Sequence, residues 1–330
     1  MELEKELSVA HGSEDLHGKV GFCVGTGRCG THFMAKVAGL EPRVGASHER
    51  SRLLEAFHKY CRWYKLPVDS EGFLHDKERE IRSDLAGNEF SFEASSYLSF
   101  SIKELYERFR AKFILIVRSP SHVVVSYSAK GLYPIPYIQG DPALALGYQH
   151  HPSFHHFLSR IAPCDEEFTS WNKMTQVGKL AWMWSAVNSA VLEQFETIPD
   201  THWRVQKLEE LNHGRYLELA AFLGYDPAVS ASEYEALSLR KPGAKAKEYR
   251  SYQDWSAEEI HEFEQQVAPV AEYFDYEYRI DSLPAFKQHV PTSSKAKTWL
   301  VEGLRRPVRS MARKLDLKDL NSHRSNGENR

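Results

Sequence analysis

The sequence predicts an α/β protein with a central, mostly parallel sheet flanked by helices. Three observations carry that prediction. A short apolar run, Lys19–Val24, ends in the glycine-rich turn GTGRCG at Gly25–Gly30 and passes at once into a helical pattern. A second run, FILIV at Phe113–Val117, is apolar at every position, as expected of a central strand covered on both faces. Around these two runs, strand-like and helix-like periodicities alternate along most of the chain.

Each element follows from its own pattern. Thr31–Leu40 reads as a helix with Phe33, Met34, Val37 and Leu40 on one side. Arg43–His48 reads as a second short strand. Ser51–Leu66 reads as a helix in which Leu53, Leu54, Phe57, Cys61 and Tyr64 recur at helical spacing. Phe90–Ser95 alternates as a strand and leads into a helix at Ser101–Phe109. FILIV runs into Arg118-Ser119-Pro120 and an amphipathic helix from His122. Beyond a loop rich in Gly, Pro and aromatics (Gly131–Pro152) comes a long helix, Val177–Phe195. Trp203–Val205 reads as a strand, Leu208–Leu223 and Ala257–Phe274 as helices. A glycine turn after the first strand, followed by this alternation, implies a doubly wound sheet.

The chain divides into an N-terminal tail (1–17), one domain (18–290) and a C-terminal segment (291–330). That last segment holds ten Lys/Arg against four Asp/Glu, with Trp299, Leu300, Leu304, Val308, Met311 and Leu315 near helical spacing. It reads as a basic amphipathic helix, able to pack on its own domain, dock to a partner or lie on anionic lipid. A net charge of −3 over 330 residues excludes a general nucleic-acid binder, for which a strong basic excess is expected. The acidic, polar N-terminus has no signal-peptide core, and no apolar run is long enough to span a bilayer. Four scattered cysteines (Cys23, Cys29, Cys61, Cys164) give neither a disulfide framework nor a zinc pattern. A cytoplasmic setting is therefore expected. Cys29, beside Arg28 at a helix start, is the one thiol whose pKa the loop could lower, although a small residue that fits the tight turn is the favoured reading.

The glycine turn leaves three anions open, because each uses a strand, a tight turn and the N–H groups of the next helix. GTGRCG matches the dinucleotide fingerprint, and Glu49 stands near the place of a ribose-binding acid. That keeps an NAD(P)-dependent oxidoreductase as an alternative. An ATP-binding loop needs Lys-Ser/Thr after its last glycine, but Thr31-His32 follows here, and FILIV ends in an arginine that would repel a metal. Arg118, at the carboxyl end of the central strand, stands where ligands of open α/β sheets bind. Ser126 follows on the next helix. An arginine can grip a second phosphate through paired N–H bonds.

GTGRCGTHF followed by FILIVRSPSHVVVSYSAKG resembles the two nucleotide-binding motifs of sulfotransferases that use 3′-phosphoadenosine 5′-phosphosulfate (PAPS). The first motif stands here as Arg28-Cys29-Gly30-Thr31-His32-Phe33, the second as Arg118, Pro120 and Ser126. Lys207–Leu211 with the Ala220–Tyr225 segment, and Leu239-Arg240-Lys241-Pro242-Gly243, resemble later blocks of the same family over Gly18–Tyr278. The resemblance implies a P-loop-NTPase-like sulfotransferase fold and sulfuryl transfer from PAPS, with the bisphosphate PAP released and no metal required.

It also implies roles. Arg28 would neutralise the departing bridging oxygen, and Cys29, Gly30, Thr31, His32 and Phe33 would surround the 5′-phosphate. Arg118, Ser126, Arg240 and Lys241 would hold the 3′-phosphate. The catalytic base falls at His48-Glu49, with Glu49 favoured; histidine titrates near neutrality and a part-buried glutamate can be raised toward it. Two departures stand out. No lysine occupies Phe92–Tyr97, where many members carry one, and Leu208 replaces a tyrosine. The acceptor would be a small molecule, glycan or lipid, with Tyr133–Tyr137, Trp182 and Trp184 as candidate pocket walls. His150, His151, His155 and His156 are interrupted by Pro152 and are not expected to bind metal. A non-catalytic nucleotide-binding scaffold of the same fold is the remaining alternative.

Overall fold

Five strands pair side by side in the order β2-β3-β1-β4-β5, every neighbouring pair parallel. They are β1 (Val20–Val24), β2 (Val44–His48), β3 (Phe90–Ala94), β4 (Lys112–Val117) and β5 (Trp203–Lys207). This arrangement comes from a computed structural model that describes residues 11–133, 160–164, 166–239 and 250–285. The sequence therefore predicts the fold class correctly. In register, Cys23 lies opposite both Ala94 and Ile114, so β1 and β3 end together beneath the glycine turn while β4 runs on to Val117.

The apolar runs split by period two, as side chains on a pleated strand must. Phe22 and Val24, with Phe113, Leu115 and Val117, enter one hydrophobic cluster; Cys23, Ile114 and Ile116 enter another on the opposite face. The second face is covered by α1 (Thr31–Ala38) and, later in the chain, the helix His213–Leu223. The first face is covered by α2 (Arg52–Trp63), α3 (Ser70–Leu85), α4 (Ile102–Phe109) and α5 (Pro120–Ser128). The remaining helices are α6 (Glu167–Lys173), α7 (Gln176–Phe195), α8 (His213–Leu223), α9 (Ala231–Leu239) and α10 (Ala257–Tyr273). Among the described residues, no helix is long and apolar enough to cross a membrane.

Several sequence expectations need correction. The helix expected over Leu208–Leu223 is broken: Leu208–Glu210 is a 3-10 turn, and α8 starts at His213 behind an Asn212 cap that accepts from Arg215 N–H. α3, α6 and α9 have no counterpart in the sequence reading. α2 forms as expected but turns a different side inward. Leu53 is 67% exposed, whereas Glu55, Ala56, His58, Lys59, Tyr60 and Cys61 are buried. Within the expected tail 1–17, His11–Leu16 is a 3-10 turn with Leu16 buried and Asp15 paired to Arg82 of α3. The expected C-terminal helix (291–330) lies outside the described residues.

Strand order bears on the choice of ligand. In a dinucleotide fold the second strand of the unit lies beside the first. Here β3 separates β2 from β1. Glu49 at the end of β2 therefore does not stand in the position of a ribose-binding acid next to the glycine turn.

Candidate active site

The glycine turn is built on left-handed backbone. Gly27 and Gly30 have φ of 79° and 116°, and between them Arg28 takes 59° despite its side chain. A Cβ on Gly30 would sit 2.7 Å from Leu208 Cδ1, and one on Gly27 would overlap the Tyr127 hydroxyl. The turn delivers the start of α1 to an open cavity, and no side chain caps that start. A helix beginning without a cap presents N–H groups and positive dipole to an anion.

Arg28 and Arg118 meet here. Arg28 Nε donates to Ser126 Oγ at 2.8 Å, and Arg118 Nη1 donates to the Arg28 carbonyl at 3.0 Å. The three residues come from three elements: the turn after β1, the end of β4 and α5. Ser126 thus orients Arg28 and is absent from the cavity wall itself. Arg118 is seated by Trp184, whose Nε1 donates to its carbonyl at 3.0 Å. Glu209 accepts from the next N–H, that of Ser119, and from Tyr276 Oη.

The cavity measures about 670 Å³. Among its described lining residues are seven cations (Arg28, Lys36, Arg52, Lys59, Arg118, Lys130 and Arg160) and one carboxylate, Glu49. Such a wall is built for a multiply charged anion. Gly30, Thr31, His32 and Phe33 line it as expected, as do His48 and Glu49. Cys29 does not: its side chain is fully buried behind the turn, and burial pushes its thiol pKa up rather than down. Arg240 and Lys241 lie outside the described residues. Tyr133 lines the cavity, whereas Trp184 is buried in the core. The rest of the aromatic run (134–137) and the four histidines lie outside the described residues.

Beside the glycine turn, Thr31 Oγ1 is 3.3 Å from His48 Nε2, and the His32 and His48 rings lie 5.0 Å apart. Burial lowers the His48 pKa, against the pull of Glu49, so the imidazole is neutral at pH 7. Ser96 Oγ donates to Glu49 Oε1 at 3.2 Å. Ser96 O in turn accepts from Lys59 Nζ at 2.9 Å. Lys59 is 5% exposed, and burial pulls its pKa down to about 8 against the attraction of Glu49.

Lys59 is the functional candidate that sequence reasoning missed. The expected lysine position on β3 is empty of lysine, yet a lysine from α2 reaches the same cavity.

Glu49 takes φ 48°, a second left-handed non-glycine residue at the end of a strand. Its turn is anchored from below. Arg50 N–H donates to Glu93 Oε1 and Ser51 N–H to Glu55 Oε1, both at 3.0 Å. These carboxylates, with Glu80, converge on Lys77 Nζ at 2.9, 2.6 and 2.9 Å respectively. The three carboxylates are close enough to hold a metal ion, but the Lys77 ammonium already bonds to all of them. Although burial disfavours its charge, they hold Lys77 protonated. Burial pushes Glu93 up to about 7, opposed by Lys77 and reinforced by Glu55.

Replacing Lys77 by Met leaves this buried acidic cluster without its cation. Chemical denaturation of Lys77→Met should show a loss of about 3–5 kcal/mol, the cost of breaking one side of a buried ion pair.

No protein-family model and no curated protein matches the chain. Among solved structures, it is similar to the sulfotransferase domain from the Synechococcus PCC 7002 olefin synthase. The two share 11% identity at a TM-score of 0.40, over 78% of this chain and 94% of that domain.

Proposed function

We propose that this chain is a PAPS-dependent sulfotransferase that moves a sulfuryl group to a hydroxyl or amine of a small acceptor. The observation that carries the proposal is the meeting of Arg118 with Arg28, itself held by Ser126, on a cation-lined cavity that also holds Glu49 and His48. One phosphate would need only the start of α1. A second fixed guanidinium from the end of β4 suits a nucleotide with two separate phosphate groups. The strand order, which sets β2 away from β1, weighs against the oxidoreductase alternative.

In this reading the first N–H groups of α1, with Thr31 and His32, take the 5′-phosphate and Arg118 takes the 3′-phosphate. Arg240 and Lys241 join it through the family resemblance alone. The acceptor O–H gives its proton to Glu49, with His48 as the neighbouring neutral acceptor. The acceptor oxygen forms its bond to sulfur as the sulfur–bridging-oxygen bond breaks. The electron pair of that bond stays on the departing 5′-phosphate. Arg28 and Lys59 neutralise the charge that develops there, and positioning with electrostatics supplies most of the rate. No step calls for a metal.

Transfer of labelled sulfate from PAPS tests the proposal directly. Glu49→Gln should lower turnover by about 10²–10⁴-fold, the usual worth of a general base, with little change in bisphosphate affinity.

Lys59 supplies a pH signature. Its ammonium is present below about pH 8 in the free protein and is lost above it, so a polyanion must pay for protonation at higher pH. Bisphosphate affinity should therefore fall as pH rises through 8, and Lys59→Met should flatten that dependence in calorimetric titrations.

A further inference from the structure

The lining residues of the cavity differ in what they offer a ligand. On the glycine-turn side Thr31, His48, Glu49, Ser96 and Lys59 present polar groups. The cavity's apolar wall consists of Leu132, Tyr133, Ile161, Met183 and Val187, the last two one turn apart on α7. Tyr133, Ile161 and Val187 are at most 2% exposed and belong to the main hydrophobic cluster.

Several polar groups of this wall are bonded within the protein. Tyr133 Oη donates to the Ile161 carbonyl at 2.6 Å, and Gln176 Nε2 donates to the Leu132 carbonyl at 2.6 Å. Behind them, Ala162 N–H donates to Tyr64 Oη and the Ala162 carbonyl accepts from Trp63 Nε1, both at 2.8 Å. A sugar carries a hydroxyl on most of its carbons. Each one laid on these apolar side chains would lose water and gain no partner from them, the costly half of hydrogen-bond exchange. An apolar body loses nothing there and gains the burial. Lys130 and Arg160 also line the cavity and would repel a cationic acceptor.

We propose that this wall is the acceptor subsite, and that the acceptor is a neutral or anionic hydroxyl compound with a compact apolar body, aromatic or aliphatic. A sugar or a polyamine does not fit it. The hydroxyl then lies toward Glu49 and the body toward Val187. The inference rests on the sulfotransferase reading for the chemistry at the hydroxyl, and on the wall for the body.

Calorimetric titration of the full chain, saturated with the bisphosphate, tests this with naphthol, octanol and methyl glucoside as probes. Naphthol or octanol should bind at least about tenfold more tightly than the glucoside, since the glucoside buries unpaired hydroxyls. Val187→Asn should weaken naphthol about tenfold while bisphosphate affinity moves by less than about twofold, because only the wall gains an unpaired amide. Val187→Ala, which keeps the wall apolar, should keep the preference for naphthol and stands in if the Asn variant does not fold. Equal or tighter binding of the glucoside, or binding of none of the three, overturns the proposal. So does naphthol affinity unchanged in folded Val187→Asn. Absence of bisphosphate binding would instead count against the sulfotransferase reading, and naphthol titrated without the nucleotide still tests the wall.

Discussion

The site depends on one constraint: Arg28 must hold a left-handed backbone inside the glycine turn. At φ 59° its side chain reaches Ser126 while its carbonyl receives the Arg118 guanidinium. That single residue ties the ends of β1 and β4 to α5. An αL conformation costs an L-residue roughly 1–2 kcal/mol, so the turn keeps it only because these contacts over-determine it. Two guanidinium groups brought this close also repel. The fold tolerates that repulsion in a cavity whose described wall carries seven cations and one acid. Such an arrangement is stabilised when an anion enters, which links the strain of the turn to the binding of a polyanion.

The second half of the site obeys the same logic with opposite charge. Glu49 is also left-handed, at the end of β2, and the turn below it is held by carboxylates gathered around Lys77. A helix on the first face of the sheet therefore fixes Glu49, the one acid among the described residues of the cavity wall, through a buried network. Satisfied networks of this kind rigidify what they support, and a missing member leaves charges buried without partners. Between the two halves, Ser96 bridges Glu49 and Lys59, so acid and cation share a common anchor.

Much of this was legible in the chain. FILIV is apolar at every position because both faces of β4 are covered, and that same burial identified it as central. Arg118 and Ser126 could be placed at the ligand-binding edge of the sheet, but the sequence assigns them to a second phosphate remote from the glycine turn, and only the fold shows them bonded to Arg28. What escaped the sequence were residues whose burial contradicts their chemistry. α3 reads SEGFLHDKEREIRSDL, too charged for an apolar stripe, yet Phe73, Leu74, Lys77 and Ile81 are buried. α2 turns Glu55 and Lys59 inward and leaves Leu53 outside, because Lys77, Ser95 and Ser96 supply partners that hydrophobic spacing does not reveal. For Cys29 the sequence favours a small residue fitting a tight loop over a thiol tuned by Arg28, and the turn does bury it.

The central claim is that Arg28 and Arg118 act together on a ligand with two phosphates, and a calorimetric double-mutant cycle with 3′-phosphoadenosine 5′-phosphate measures it most directly. The account predicts binding to the unmodified chain, a loss of about 2 kcal/mol or more in Arg118→Ala, and coupling between Arg28→Ala and Arg118→Ala. Tighter binding of NADH than of the bisphosphate, or no bisphosphate binding at millimolar concentration, would contradict it.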